Sequence, residues 1–142
     1  MEKNIIYTSY FGNIEKLPDN VFPIAICAKP PHWFKGPNYK ELAPKYAFFM
    51  KYKETHDEAY YIEHFNSEVL DKLRQKDVVA TLRSLAGDKI PCMMCFEKPG
   101  DFCHRHLVAE WLNNSGFASV SEFKNTAEKD NLLFTTFKNE FK

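Results

Sequence analysis

Apolar residues recur along this chain with two periods, and their alternation predicts the elements. Residues 4–9 (Asn-Ile-Ile-Tyr-Thr-Ser) are β-rich and predict a first strand ending near Thr8. Tyr10-Phe11-Gly12-Asn13 then reads as a loop at its C-terminal end. Residues 21–27 form a second apolar run, in which Pro23 points to a strand start or an edge position. Residues 29–38 carry three Pro, one Gly, His32, Trp33 and Phe34, a loop long enough to cover something. Residues 39–52 predict a helix with Leu42, Tyr46, Phe49 and Met50 as its apolar stripe and Pro44 as a start or kink. Residues 57–74 predict a second helix, with Tyr61, Phe65, Val69 and Leu73 four apart. Residues 77–86 predict a third, with Val78, Leu82 and Leu85 inward and Gly87 as its C-terminal cap.

The pattern is sharpest over residues 88–112. Residues 90–96 are an apolar run of buried-strand length. Residues 97–101 contain Pro99-Gly100, a loop signal. From Phe102 the positions Leu107, Val108, Trp111 and Leu112 form one face of a helix, which ends at Asn113-Asn114-Ser115-Gly116. Residues 117–123 alternate apolar and polar, a final strand. Residues 124–142 begin polar, and Leu132, Leu133, Phe134 and Phe137 then suit a docking helix or a tail. The expectation is one domain over residues 1–123 plus that C-terminal segment.

Strands separated by helices imply an α/β layered domain with a mostly parallel sheet. Ligands of such sheets sit beyond the C-terminal strand ends. The loops 9–13, 28–38 and 97–101 follow strands, so Tyr10, Trp33, Glu97 and Cys103 to Arg105 are expected on one rim.

Composition narrows the function. At 142 residues the chain is long enough for a real core. It has 19 basic and 19 acidic residues, and this balance argues against a strongly electrostatic nucleic-acid binder. The only arginines are Arg74, Arg83 and Arg105, which makes each a better candidate for a specific task than any Lys. No apolar run approaches the roughly 20 residues of a membrane span, and the N-terminus has no signal-peptide core. The expectation is a soluble, intracellular protein whose four cysteines stay as thiols.

Cys103-His104-Arg105-His106 opens a helix, where unpaired N–H groups and the positive end of the dipole gather. A thiol there, beside cations, has a depressed pKa, which makes Cys103 a candidate nucleophile. Arg105 is suited to grip a phosphate or carboxylate in bidentate fashion. The structural alternative packs Cys103 as a small hydrophobe and pairs Arg105 with Glu97. Glu97, directly after the strand, is a candidate general acid or base. Asp101 reads as the N-cap of the helix. Pro30 to Phe34 offers a stacking platform for a base or sugar, or a plain packed loop. Cys92 and Cys95 have C-x-x-C spacing, but a strand sends residues three apart to opposite faces. A zinc set of Cys92, Cys95, Cys103 and His104 or His106 therefore requires a knuckle in place of the strand. No G-x-G-x-x-G, P-loop or C-x5-R of cysteine phosphatases is present.

Met94-Cys95-Phe96-Glu97-Lys98-Pro99, followed by Cys103-His104-Arg105 and a helix, resembles the domain-of-unknown-function family numbered 488. Members show an apolar strand ending in Cys-x-Glu, a short loop, and Cys-His-Arg. The likeness spans roughly residues 4–123. Ser9-Tyr10-Phe11-Gly12 loosely matches the Gly-Tyr that follows strand one in the family. Ala25-Ile26-Cys27-Ala28-Lys29 departs from its Asp-Val-Arg step, and Lys29 stands in for that Arg. The resemblance implies a small Rossmann-like, three-layer α/β domain, cytoplasmic, with a short mostly parallel sheet flanked by helices. It implies Cys95, Glu97, Cys103, His104 and Arg105 as the site, and no particular reaction or cofactor.

Two functions follow. One is an enzyme or sensor of a small anionic or nucleotide-like ligand, with Cys103 and Glu97 reacting and Cys95, His104, Arg105, Tyr10, Trp33 and Lys29 binding. The other is an adaptor without chemistry, in which Cys-His-Arg is a structural staple.

Overall fold

A computed structural model describes residues 4–98 and 100–124. Four strands, β1 (Asn4–Tyr10), β2 (Val21–Ala25), β3 (Ile90–Cys95) and β4 (Ala118–Glu122), form one sheet in the order β2-β3-β1-β4. Every pairing is parallel. Parallel neighbours need crossovers. Between β2 and β3 run α1 (Tyr46–Thr55), α2 (Glu58–Glu68) and α3 (Gln75–Ala86), and α4 (His104–Ser115) joins β3 to β4.

Alternation along the strands builds two cores. Ile6, Ile24, Met93 and Cys95 point to the face covered by α1 to α4, where Phe48, Phe65, Leu82, Val108 and Leu112 meet them. Ala25, Cys92 and Met94 point to the other face, covered by the 3-10 turn Phe11–Lys16 and by the loop before residue 38. The sheet is thus the middle of three layers, a Rossmann-like α/β domain. Pro23 lies on the edge strand β2, opposite Cys92, where its missing N–H leaves no gap in the ladder.

Helix boundaries depart from the sequence pattern wherever Pro or a short turn intervenes. β1 continues to Tyr10 and passes directly into the Phe11–Lys16 turn. α1 begins only at Tyr46. Ala43, held extended ahead of Pro44 (ψ 152°), separates it from the 3-10 turn Lys40–Leu42. That break resets the helical phase. Phe48 is buried, while the predicted stripe residues Tyr46 and Met50 are 77% and 38% exposed. The second helix stops at Glu68, and Val69 and Leu70 are buried through the turn Leu70–Lys72. On α3 the inward residues are Val78, Val79, Leu82 and Ala86; Leu85, placed inward by the pattern, is exposed. Gly87 caps α3 at φ 65° as expected. The tail reading for residues 124–142 lies outside the described residues from 125 onward. Among the described residues no helix is long and apolar enough to cross a membrane.

Candidate active site

The site is built where β3 ends and α4 begins. Cys95 is the last residue of β3 and faces the helical layer, 1% exposed. Cys103 takes the N-cap position of α4 in extended conformation (φ −154°, ψ 141°), with no side-chain cap bond. Asp101, expected at that position, sits earlier, in a turn whose N–H reaches the Lys98 carbonyl at 3.1 Å. His104 and Arg105 follow as the first two helical residues.

His104 is anchored on both sides. Its Nε2 donates to the Ile26 carbonyl at 2.6 Å, and its ring lies 5.5 Å from that of Phe65. Ile26 is itself held by an N–H bond to the Met94 carbonyl at 3.1 Å, so the sheet edge sets the imidazole. The Cys95 Sγ lies 3.7 Å from Nδ1 and 3.6 Å from Nε2 of this ring. Cys95, Cys103 and His104 present their donor atoms within 4.8 Å of one another, all buried.

A cavity of about 440 Å³ opens beside this cluster. Cys95, Cys103 and His104 form its floor together with Cys27. Phe49, Tyr52, Tyr61 and Phe102 are aromatic lining, and Lys29, Lys53 and Glu97 are its charged groups. Tyr52, Tyr61 and Phe102 touch one another with ring centroids 5.0–5.3 Å apart, which fixes this wall. Lys53 Nζ rests 4.8 Å over the Phe49 ring.

The electrostatics are organised by Cys103. A hydrogen bond from the Cys95 thiol, opposed by burial and aided by His104, draws the Cys103 thiol well below its ordinary range. Burial drives Cys95 the other way, well up. Burial, and then the Cys103 charge, pushes Cys27 up to about 11. Partial burial and the same sulfur hold the Glu97 carboxyl above the usual carboxylate range. Burial likewise raises the Tyr61 phenol.

Arg105 is not at the mouth of this cavity. It is 0% exposed, and Nε and Nη2 donate to the two carboxylate oxygens of Glu122 at 3.0 Å each. Nη1 donates to the Glu97 backbone carbonyl at 2.6 Å. The partner expected from the sequence was the Glu97 side chain; it is the Glu97 main chain and a carboxylate from β4 instead. Glu122 also accepts from the Thr8 hydroxyl at 2.6 Å. Burial works against the guanidinium charge, but the Glu122 bonds outweigh it and raise its pKa further. The motif therefore divides: Cys103 and His104 face the cavity, and Arg105 turns into the fold.

The remaining sequence candidates also separate. Cys95, Glu97 and Lys29 join Cys103 and His104 at the cavity, whereas Tyr10 and Trp33 do not line it. Trp33 and Phe34 pack with Phe11 at 6.1 and 5.3 Å, and Phe96 joins them at 5.1 Å from Phe11. Phe34 packs against the second core, whereas Trp33 touches Phe11 and stays 46% exposed. Cys92 lies in the core on the far side of the sheet, its Sγ 3.6 Å from the Met94 sulfur, so the strand reading holds and the four-ligand zinc set with Cys92 is not assembled. Tyr52, Lys53, Tyr61 and Phe102 were not expected as site residues. The part of Tyr52, Lys53 and Tyr61 depends on α1 and α2 crossing the strand ends, which no local pattern encodes, and Phe102 joins them from the loop ahead of α4.

The model of one protein family, DUF488-N3a, described as the active DUF488-N3 subclade, matches residues 7–116. No curated protein and no solved structure matches the chain. The matched span contains Cys95, Glu97 and Cys103 to Arg105 and ends before Glu122.

Proposed function

The chain belongs to the DUF488-N3a family, the active DUF488-N3 subclade, and from that premise we propose that it binds and processes a small anionic, nucleotide-like ligand. The observation that carries this reading is the cavity at the C-terminal rim of a parallel sheet, where ligands of such sheets are held. Its wall of rings suits a planar base or sugar face. Lys29 and Lys53 supply the positive charge for a phosphate, and the first amides of α4 lie beside Cys103. Cys103 is the reacting sulfur and Glu97 the proton carrier at the rim. In this reading Arg105 does not touch the ligand. It positions the start of α4 and the Glu97 main chain through Glu122. We place the protein in the cytoplasm, where Cys27, Cys92, Cys95 and Cys103, all unpaired, stay reduced.

One observation favours the adaptor reading in part. The buried Arg105–Glu122 pair is a staple between α4 and β4, whatever fills the cavity. A thermal-shift panel of phosphate, sulfate and mono- and dinucleotides separates the two. The enzyme or sensor reading expects a nucleotide to raise the melting temperature, and Lys53→Ala and Lys29→Ala to reduce that rise. Flat responses across the panel count against it and leave the adaptor.

A further inference from the structure

We propose that Cys95, Cys103 and His104 are a metal site of the zinc class, with its fourth position opening into the cavity. The spacing and chemistry of the donors support this. A tetrahedral zinc ion with its usual bond lengths to sulfur and imidazole nitrogen holds those two donor atoms about 3.6 Å apart. The Cys95 Sγ lies 3.7 Å from His104 Nδ1 and 3.6 Å from Nε2, off the Nδ1 lone-pair axis, so a turn of the thiol or the ring brings an ion into line; all three donors already fall within 4.8 Å of one another. The ring is already committed at its other end. Nε2 carries the proton given to the Ile26 carbonyl, which leaves Nδ1 as the free donor. A ligating histidine whose second nitrogen is tied to a backbone carbonyl is the arrangement that fixes tautomer and ring orientation.

The set has the character of a reactive site rather than a closed structural one. Structural zinc takes four protein ligands; catalytic zinc takes three and keeps one position open. Here three are assembled, at 1%, 4% and 7% exposure, and the open side is the cavity floor. Two thiolates and a divalent ion sum to zero charge, which suits a floor surrounded by aromatic rings. Thiolate and imidazole donors select zinc over magnesium or calcium, which prefer oxygen. A cation held there supplies Lewis-acid chemistry to the occupant of the cavity. The inference goes beyond the ligand-binding reading and does not require it. With the ion bound, Cys103 is a ligand rather than a free nucleophile.

The test is a cobalt(II) titration of the metal-free full chain, followed by displacement with zinc, with no nucleotide present. The expected result is one cobalt per chain, tetrahedral d–d bands, and a near-ultraviolet thiolate-to-cobalt band. Cys103→Ser and His104→Ala should abolish these bands, with circular dichroism reporting that each variant is folded. His106→Ala, on the same helix but outside the cluster, should leave them intact. Failure of the wild-type chain to bind cobalt overturns the proposal, and that measurement needs no variant to fold. Bands that survive Cys103→Ser, or that vanish in His106→Ala, overturn the ligand set. A nucleotide thermal shift without cobalt binding rejects the metal and keeps the ligand; cobalt binding with no shift does the reverse.

Discussion

Glu122→Ala strips a buried guanidinium of its countercharge. Arg105 is 0% exposed, and two of its three hydrogen bonds, each 3.0 Å, end on the lost carboxylate. The third, to the Glu97 carbonyl, carries no countercharge. Removing one partner of a buried ion pair costs about 3–5 kcal/mol. Glu122 is 21% exposed, so water can partly replace it, which places the loss near the lower end, about 3 kcal/mol. The Thr8 hydroxyl, 1% exposed, also loses its acceptor, and an unsatisfied buried hydroxyl adds about 1 kcal/mol. A total of about 4 kcal/mol is a large share of the roughly 5–15 kcal/mol that stabilises a domain. Urea unfolding followed by circular dichroism measures it as a shift in midpoint at constant slope. A companion double variant, Arg105→Met with Glu122→Leu, replaces the pair by apolar groups of similar volume. It should lie within about 2 kcal/mol of wild type, because no charge is left buried alone and only the Thr8 hydroxyl and the Glu97 carbonyl lose a partner. A cost below about 1 kcal/mol for Glu122→Ala, or a double variant as unstable as the single one, would show that the lone buried guanidinium is not what destabilises the fold.

Iodoacetamide at neutral pH should modify Cys103 of the metal-free protein well before Cys92, which lies 0% exposed on the far face of the sheet, and added zinc should suppress that reaction; peptide mass spectrometry reads both. Phe48→Ala should cost about 3–5 kcal/mol in urea unfolding, whereas Tyr46→Ala, at a residue 77% exposed, should stay within about 0.5 kcal/mol. The reverse order would show α1 in the wrong phase. Gly116→Ala should cost about 1–2 kcal/mol. Gly116 ends α4 at φ 78° with nothing within 4 Å of an added Cβ, so the penalty is backbone conformation alone.

Strand positions were legible because alternation and apolar runs are local. The runs 90–96 and 117–123 map closely onto Ile90–Cys95 and Ala118–Glu122. The opposite faces of Cys92 and Cys95 followed from the two-residue period alone. Helix faces were less legible. The stripe through Leu42, Tyr46 and Met50 assumed one continuous helix, and the extended step at Ala43 before Pro44 breaks its phase. Cys103 and His104 were readable at the site because a helix start is a local signal. The partner of Arg105 was not. Glu122 lies 17 residues on in another strand, beside Thr8 at 114 residues' separation. Only the sheet order, with β4 next to β1, brings the three together.

That order also explains why a three-residue motif serves two purposes. Cys103 and His104 line the cavity, and the next residue of the turn, Arg105, projects away from it to Glu122. The Arg105 side chain instead reaches β4, which pairs with β1, while Cys95 on β3 pairs with Tyr10 on β1. The guanidinium therefore ties the start of α4 to the strand on one side of β1, and the Cys95–His104 contact ties it to the strand on the other. Two attachments across β1 hold the start of α4, and with it the Cys103 sulfur, at the strand ends. A third tie runs from His104 to Ile26 just beyond β2, so the cavity side of α4 is fixed through an imidazole bonded to a backbone carbonyl and the far side through a charge pair. Loosening the charge pair should then disturb Glu97 first, because its carbonyl is the only other acceptor that Arg105 uses among the described residues. In the Arg105→Met, Glu122→Leu double variant, most of the stability is restored but this carbonyl loses its donor. Cobalt should still bind at Cys95, Cys103 and His104, while any step that needs the Glu97 carboxyl should slow. Equal loss of both would mean that Arg105 organises the whole helix start, and not the Glu97 loop in particular.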